Sequence, residues 1–172
     1  GETWNCIEME YQNNITIRTI ESDEATLLTE FLYEAIYQPE GSQKVPRTVL
    51  QQPMIWAYVK DFGKLPDDIC LVAVVDGLIV GAAWSRLGCS YGKIDDTTPE
   101  FAISVYPEYR GKGIGTRLLS SLLDAIHKIG HGTVSLSVDK SNYAVGIYLK
   151  AGFEILEERE HDYIMVKRWN NE

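Results

Sequence analysis

The sequence predicts an α/β fold built on a mixed, mostly antiparallel sheet of about seven strands flanked by about four helices. Two observations carry this. Ile69-Cys70-Leu71-Val72-Ala73-Val74-Val75 and Leu78-Ile79-Val80-Gly81-Ala82-Ala83-Trp84 are apolar runs separated by Asp76-Gly77, a pair that favours positive φ at both central turn positions and so marks an antiparallel hairpin. Phe101 to Val105 is a further apolar run followed by a glycine-rich turn and then by Leu118, Leu119, Leu122, Leu123, Ile126 and Ile129, spaced as one face of a helix. Hairpin-linked strands mixed with a strand-turn-helix-strand unit require a sheet that is partly antiparallel.

The remaining elements follow in order. Ile15 to Ile20 begins as an alternating strand, and Ser22-Asp23-Glu24 offers a helix cap with an acidic first turn. Leu27, Leu28, Phe31, Leu32, Ala35 and Ile36 then repeat at helical spacing. Pro39 to Pro46 reads as a loop, and Thr48 to Phe62 as helix interrupted or restarted at Pro53. The polar stretch Arg86 to Pro99 leads into the glycine-turn strand, and the long helix stops near Gly130 and Gly132. Val134 to Val138 alternates as a strand, Asn142 to Ala151 is a short helix, and Phe153 to Glu157 with Tyr163 to Val166 closes the chain as a hairpin. The order β-α-α-β-β-β-α-β-α-β-β has no internal repeat.

At 172 residues the chain is sized for one domain, residues 1–172. Lys and Arg number 16 against 25 Asp and Glu, a net charge of -9 that repels nucleic-acid backbones. No run approaches the roughly 18 apolar residues of a membrane helix, and Gly1-Glu2-Thr3-Trp4 lacks the basic and apolar regions of a secretory signal, so a soluble cytoplasmic protein without a membrane partner is expected. Gly1 in place of Met reads as a processing remnant. Cys6, Cys70 and Cys89 are odd in number and lack paired spacing, which predicts reduced, mostly buried thiols. His127, His131 and His161 form no ligand motif, and no metal site is expected.

The segment Arg110-Gly111-Lys112-Gly113-Ile114-Gly115-Thr116 places three alternating glycines between a buried strand and a helix. The first N–H groups of a helix have no intrahelical partner and its dipole is positive there, so such a turn can hold an anion. Arg110, Lys112 and Arg117 reverse the sign of an acidic chain at that place, as a pyrophosphate-bearing ligand requires. The spacing is neither the GxGxxG of dinucleotide folds nor the GxxxxGK[ST] of P-loops.

Arg110 to Gly115 resembles the (Gln/Arg)-x-x-Gly-x-(Gly/Ala) signature of the GNAT superfamily of N-acetyltransferases. Asn142-Tyr143-Ala144-Val145-Gly146-Ile147-Tyr148-Leu149-Lys150-Ala151-Gly152-Phe153 is similar to that family's downstream Asn, Ala, Tyr and Gly-Phe pattern. The resemblance implies an acetyl-CoA cosubstrate whose pyrophosphate meets Arg110, Gly111, Lys112, Gly113, Ile114, Gly115 and Thr116. It also implies that Ile103, Ser104 and Val105 pair with the pantetheine arm in a splayed sheet, and that a main-chain N–H near Val105 polarises the acetyl carbonyl. Asn142 would bond the same arm or cap its own helix.

The implied reaction is direct attack of a primary amine on the thioester, with Tyr148 as general acid and Glu100 as candidate base, acting directly or through water. Asp95 and Asp96 are alternative ammonium ligands. Tyr33, Tyr37, Trp56, Trp84 and Tyr91 either line an acceptor pocket or belong to the core. The acceptor is a small-molecule or peptide amine, with homodimers common in the resembled family. An acyl-CoA-binding sensor without turnover is the alternative.

Overall fold

In the computed structural model, which describes residues 14–36 and 41–170, seven strands form one sheet. They are β1 (Ile15–Thr19), β2 (Ile69–Val75), β3 (Leu78–Arg86), β4 (Glu100–Val105), β5 (Thr133–Asp139), β6 (Glu154–Glu158) and β7 (Asp162–Arg168). Their order across the sheet is β1-β2-β3-β4-β5-β7-β6. All pairs are antiparallel except β4 with β5, which run parallel. The β2–β3 hairpin turns at Asp76 and Gly77 with φ of 51° and 80°, the two positive values the dipeptide was expected to supply.

Four α-helices are present among the described residues: α1 (Leu28–Ala35), α2 (Pro53–Trp56), α3 (Ile114–Lys128) and α4 (Ala144–Lys150). The stripe on α3 is buried as its spacing demands, through Ile114, Leu118, Leu119, Leu122, Leu123 and Ile126. It packs in one core layer with Val80, Ala83, Phe101 and Val105. The opposite face of the sheet is covered by Leu28, Phe31 and Leu32 of α1 together with Tyr58, Val59 and the fully buried Trp84.

One helical expectation is corrected and a second holds in part. Residues Ser22–Leu27 wind as a 3-10 helix before α1 begins, with Glu24 accepting from Glu21 N–H at 2.8 Å and gripped by both guanidinium nitrogens of Arg18 at 2.8 Å. The stretch Thr48 to Phe62 is interrupted at Pro53 as expected, but it does not stay helical to Phe62. Gln52 is extended at φ -65°, ψ 128°, as crowding by the following proline requires, so a 3-10 helix at Arg47–Gln51 is severed from the one-turn α2. Turns then bring Tyr58 into the core.

The sheet is open in its middle. β3 and β4 pair over six residues, from Gly81 with Val105 to Arg86 with Glu100. β4 and β5 share only the register pair Glu100 with Ser135, supported by Ser135 N–H donating to Pro99 O at 3.0 Å. Beyond that point the two strands diverge.

Cys70 and Cys89 are free and buried, and Cys6 lies outside the described residues. No helix of the described residues is long and apolar enough to cross a membrane.

Candidate functional site

The divergence of β4 from β5 strips one side of β4 of its ladder partner. Tyr106 N–H donates to Val80 O at 2.9 Å on the β3 side, whereas Pro99 O is taken by β5. Antiparallel bonding alternates along a strand. The main-chain groups of Phe101, Ile103 and Val105 therefore turn toward the gap.

At the end of β4 the chain makes a one-turn 3-10 helix, Pro107–Tyr109, and then the glycine turn. Gly111 and Gly113 have φ of 75° and 81°, a region in which any side chain costs roughly 1–2 kcal/mol, and a Cβ at either would meet open space. Their requirement is thus conformational. Gly113 caps α3, and Arg117 N–H is the first to bond back, to Gly113 O at 3.1 Å. The N–H groups of Ile114, Gly115 and Thr116 precede that ladder at the positive end of the helix. Arg110 binds the turn to its strand, Nε donating to Val105 O at 2.9 Å, with Nη2 3.5 Å from Glu34.

A cavity of about 570 Å³ lies over this turn. Of the sequence-predicted cofactor residues, Ile103, Ser104, Val105, Arg110, Gly111, Gly113, Ile114, Gly115, Thr116 and Asn142 line it, and Lys112 does not. The donors, glycines and volume of this cleft fit a phosphorylated carrier such as coenzyme A. Asn142 Oδ1 accepts from Ala144 N–H at 2.9 Å, which starts α4. Ser104 Oγ is turned to the other face and donates to Phe31 O at 2.6 Å.

A second cavity, about 370 Å³, opens on the other side of the gap and is lined by Glu100, Tyr58, Tyr91, Phe101 and Leu136 among others. Tyr148, Ile103, Asn142, Ala35 and Ile36 belong to the walls of both cavities. Tyr148 is held edge-on by Phe101 and Phe153, with ring centroids 5.9 and 5.7 Å away. Burial, with a smaller contribution from Tyr143, pushes its hydroxyl up to about 12, so it stays protonated over the ordinary pH range.

Glu100 is only 2% exposed. Its Oε2 accepts from the Tyr58 hydroxyl and from Gly92 N–H at 3.0 Å, while Oε1 has no hydrogen-bond partner. Burial raises this carboxyl to about 7, against the opposing pull of the Tyr58 and Gly92 hydrogen bonds. Gly92 in turn holds β5, its carbonyl accepting from Ser135 Oγ at 2.7 Å, and a Cβ there would stand 2.6 Å from the backbone at Leu136. Tyr58 and Gly92 escaped sequence reasoning because each lies in a segment whose pattern carries no periodic or motif signal toward residue 100.

The other candidates separate cleanly. Trp84 is core, its indole donating to Tyr58 O at 3.0 Å, and Trp56 packs against the same layer. Tyr33 lines the first cavity and Tyr91 the second, and Tyr37 lies outside the described residues. Asp95 and Asp96 line neither cavity. Asp95 Oδ1 accepts from Thr97 and Thr98 N–H at 2.9 and 2.7 Å, and Asp96 pairs with Lys93 at 2.9 Å, so the turn consumes both carboxylates locally. Among the described residues no three His, Cys, Asp or Glu are grouped to hold a metal ion. His127 lies tilted against the Trp169 ring, His131 lies 3.5 Å from Asp67, and His161 is exposed.

Comparison with known proteins agrees with this geometry. The chain is 22% identical over 161 residues to an L-methionine sulfoximine/L-methionine sulfone acetyltransferase of Salmonella typhimurium, covering 90% of this chain and 89% of that protein. It is 35% identical over 74 residues to the spermidine N(1)-acetyltransferase of Escherichia coli, covering 42% of this chain and 40% of the relative. It matches an uncharacterised Mycobacterium leprae protein at 37% identity over 94 residues, 51% of this chain, and spans only 23% of that relative's length. Among solved structures, the fold is similar to PaiA N-acetyltransferase of Thermoplasma acidophilum in complex with coenzyme A, with TM-score 0.64 and 22% identity over 90% of this chain and 99% of that one. It is similar also to yncA of Salmonella typhimurium with acetyl-CoA, with TM-score 0.66 and 22% identity over 92% and 96%. The family model described as acetyltransferase (GNAT) domain matches residues 66–155, more than half of the sequence, and the chain belongs to that family.

Proposed function

We propose that this chain transfers the acetyl group of acetyl-CoA to a primary amine by direct attack. The observation that carries the reading is the place of Tyr148 in a wall common to two cavities, one floored by the glycine turn and the other lined by Glu100.

Bound acetyl-CoA supplies an activated thioester. Arg110 and the N–H groups of Gly111 to Thr116 hold its diphosphate, and the main chain of Ile103 with the N–H of Val105 pairs with its pantetheine arm. Val105 N–H polarises the acetyl carbonyl. An amine reaches the site as an ammonium, reference pKa about 10.4. Ionised Glu100 takes one proton from it and later releases that proton to solvent. Tyr148 gives a proton to sulfur as the C–S bond breaks, and recovers one through solvent from the nitrogen as the N–C bond forms.

Both relatives of stated activity are acetyltransferases acting on amines, methionine sulfone or sulfoximine in one case and spermidine in the other. The alternative of a coenzyme sensor is disfavoured by a buried carboxyl with one oxygen left without a partner, a costly feature with no use in sensing. Acetyl-CoA at 100 times its dissociation constant should stabilise the fold by about 2.7 kcal/mol, and Tm should rise by several degrees. An amine panel scored for free thiol decides between turnover and sensing. Stabilisation by acetyl-CoA without thiol release from any amine would establish the sensor.

A further inference from the structure

A chain of net charge -9 repels a polyphosphorylated ligand at long range, so the cations that stand in the cofactor cavity decide how such a ligand is held. Only two side chains of that wall are basic, Arg110 and Lys44. Lys112 and Arg117, close to the glycine turn in sequence, do not line it. Arg110 already shares its charge with the one carboxylate of the wall, Glu34, at 3.5 Å from Nη2. Lys44 is in a different state: it is exposed, and among the described residues its ammonium has no hydrogen bond or ion pair.

Lys44 belongs to the loop between α1 and the following 3-10 helix, far along the chain from the glycine turn, and tertiary contacts bring it to the cavity. The Tyr33 hydroxyl donates to Val45 O at 2.5 Å, fixing the residue next to Lys44 on α1. Arg47 Nη2 pairs with Glu30 at 2.5 Å, and its guanidinium stands 4.9 Å over the Tyr33 ring, so the loop is tied to the helix a second time. The helix is in turn fixed to β4, through Ser104 Oγ donating to Phe31 O at 2.6 Å, and to the turn through Glu34 and Arg110.

The acidic end of coenzyme A bears a diphosphate and a further phosphate on its ribose. The N–H groups of the turn and a half-neutralised Arg110 leave part of that charge unanswered. A lysine ammonium, three donors on a flexible stem, meets a phosphate as a point charge and needs no fixed fork geometry.

We propose that Lys44 is a cofactor-binding residue, meeting a phosphate of acetyl-CoA from the α1 side of the first cavity. The assignment rests on the reading of this cavity as the acetyl-CoA site and extends that site to the N-terminal half of the chain.

The test is isothermal titration of acetyl-CoA and of its 3′-dephospho analogue into wild type, Lys44→Gln, Lys44→Glu and Lys64→Glu. The last makes the same change of charge at an exposed lysine that lines neither cavity. Kd for acetyl-CoA should rise about tenfold in Lys44→Gln and further in Lys44→Glu, with the gap narrowing as salt screens it, and should stay near wild type in Lys64→Glu. Because Lys44 is exposed and unbonded, its variants should melt with wild type in the absence of ligand. A gap that vanishes with the dephospho analogue places Lys44 on the ribose phosphate, and one that persists places it on the diphosphate. Equal affinity in wild type and Lys44→Glu would overturn the assignment and leave the acetyl-CoA site standing. Equal weakening by Lys64→Glu would overturn it too, showing only the field of the whole chain. A wild type that binds neither ligand would overturn the cofactor reading and Lys44 with it.

Discussion

The Tyr58 hydroxyl donates to Glu100 Oε2 inside the core, joining side chains 42 positions apart in sequence and leaving Oε1 of the same carboxyl without a partner. One oxygen anchors the group, and Glu100 itself stands in the wall of the second cavity. Burial holds the carboxyl at about 7, within reach of its ionised form at neutral pH.

Glu100→Gln should lower kcat/KM by roughly 100-fold or more, within the usual range for removing a general base. The wild-type rate should rise with pH through about 7, where Glu100 ionises, and the variant should lack that limb. Stability should move the other way. The folded value exceeds the ordinary 4.5, so the folded state binds the extra proton and wild-type stability falls as pH rises from about 4.5 through about 7. The difference is on the order of 3 kcal/mol at most. Melting curves at pH 4 and pH 8 check this: the variant should gain on wild type only at pH 8, and equal gains at both would refute the linkage.

Tyr58→Phe keeps the ring and removes the donor that favours ionised Glu100. The acidic limb of kcat/KM should shift to higher pH, with the plateau rate largely recovered in alkaline buffer and acetyl-CoA affinity unchanged. A purely structural role for Tyr58 would lower the rate uniformly across the profile.

Tyr148→Phe retains the edge-on contacts with Phe101 and Phe153 and deletes only the hydroxyl. The expected loss is about 100-fold in kcat with acetyl-CoA affinity and Tm near wild type. Because the hydroxyl titrates near 12, the wild-type enzyme should show no fall in rate from this group below about pH 11. A kcat unchanged under conditions where chemistry limits would remove Tyr148 from the reaction.

Arg110→Glu replaces a cation on the first cavity with an anion, breaks the bond to Val105 O and sets two carboxylates together at Glu34. Hydrogen bonds to charged groups are worth roughly 1.5–3 kcal/mol, so affinity for acetyl-CoA should fall about tenfold to 100-fold. Isothermal titration reads this directly. Equal affinity in both proteins would show that Arg110 does not meet the diphosphate.

What lies close together in the chain could be read from its residues. Asp76-Gly77 demanded two positive φ values and produced the β2–β3 hairpin, and the α3 stripe recorded its own buried face. Gly111 and Gly113 announced a strand-to-helix turn for the same reason, because backbone conformation at a turn is decided by the residues in it. Pro53 marked the break, because its restriction acts on Gln52 and separates two short helical pieces, but the end of the second piece at Trp56 left no such mark.

The surroundings of Glu100 and Tyr148 belonged to tertiary structure. Glu100 stands at a strand end, a position as suited to solvent as to the core, and only the approach of Tyr58 and Gly92 desolvates it and selects which oxygen is left unpartnered. The meeting of the two cavities at Tyr148 depends on β4 and β5 parting after one register pair, while Asp95 and Asp96, acidic and well placed along the chain, spend their charge on their own turn. Periodicity and turn chemistry are local and leave a trace in neighbouring residues. Burial, and the pairing of groups tens of residues apart, exist only once the sheet has assembled.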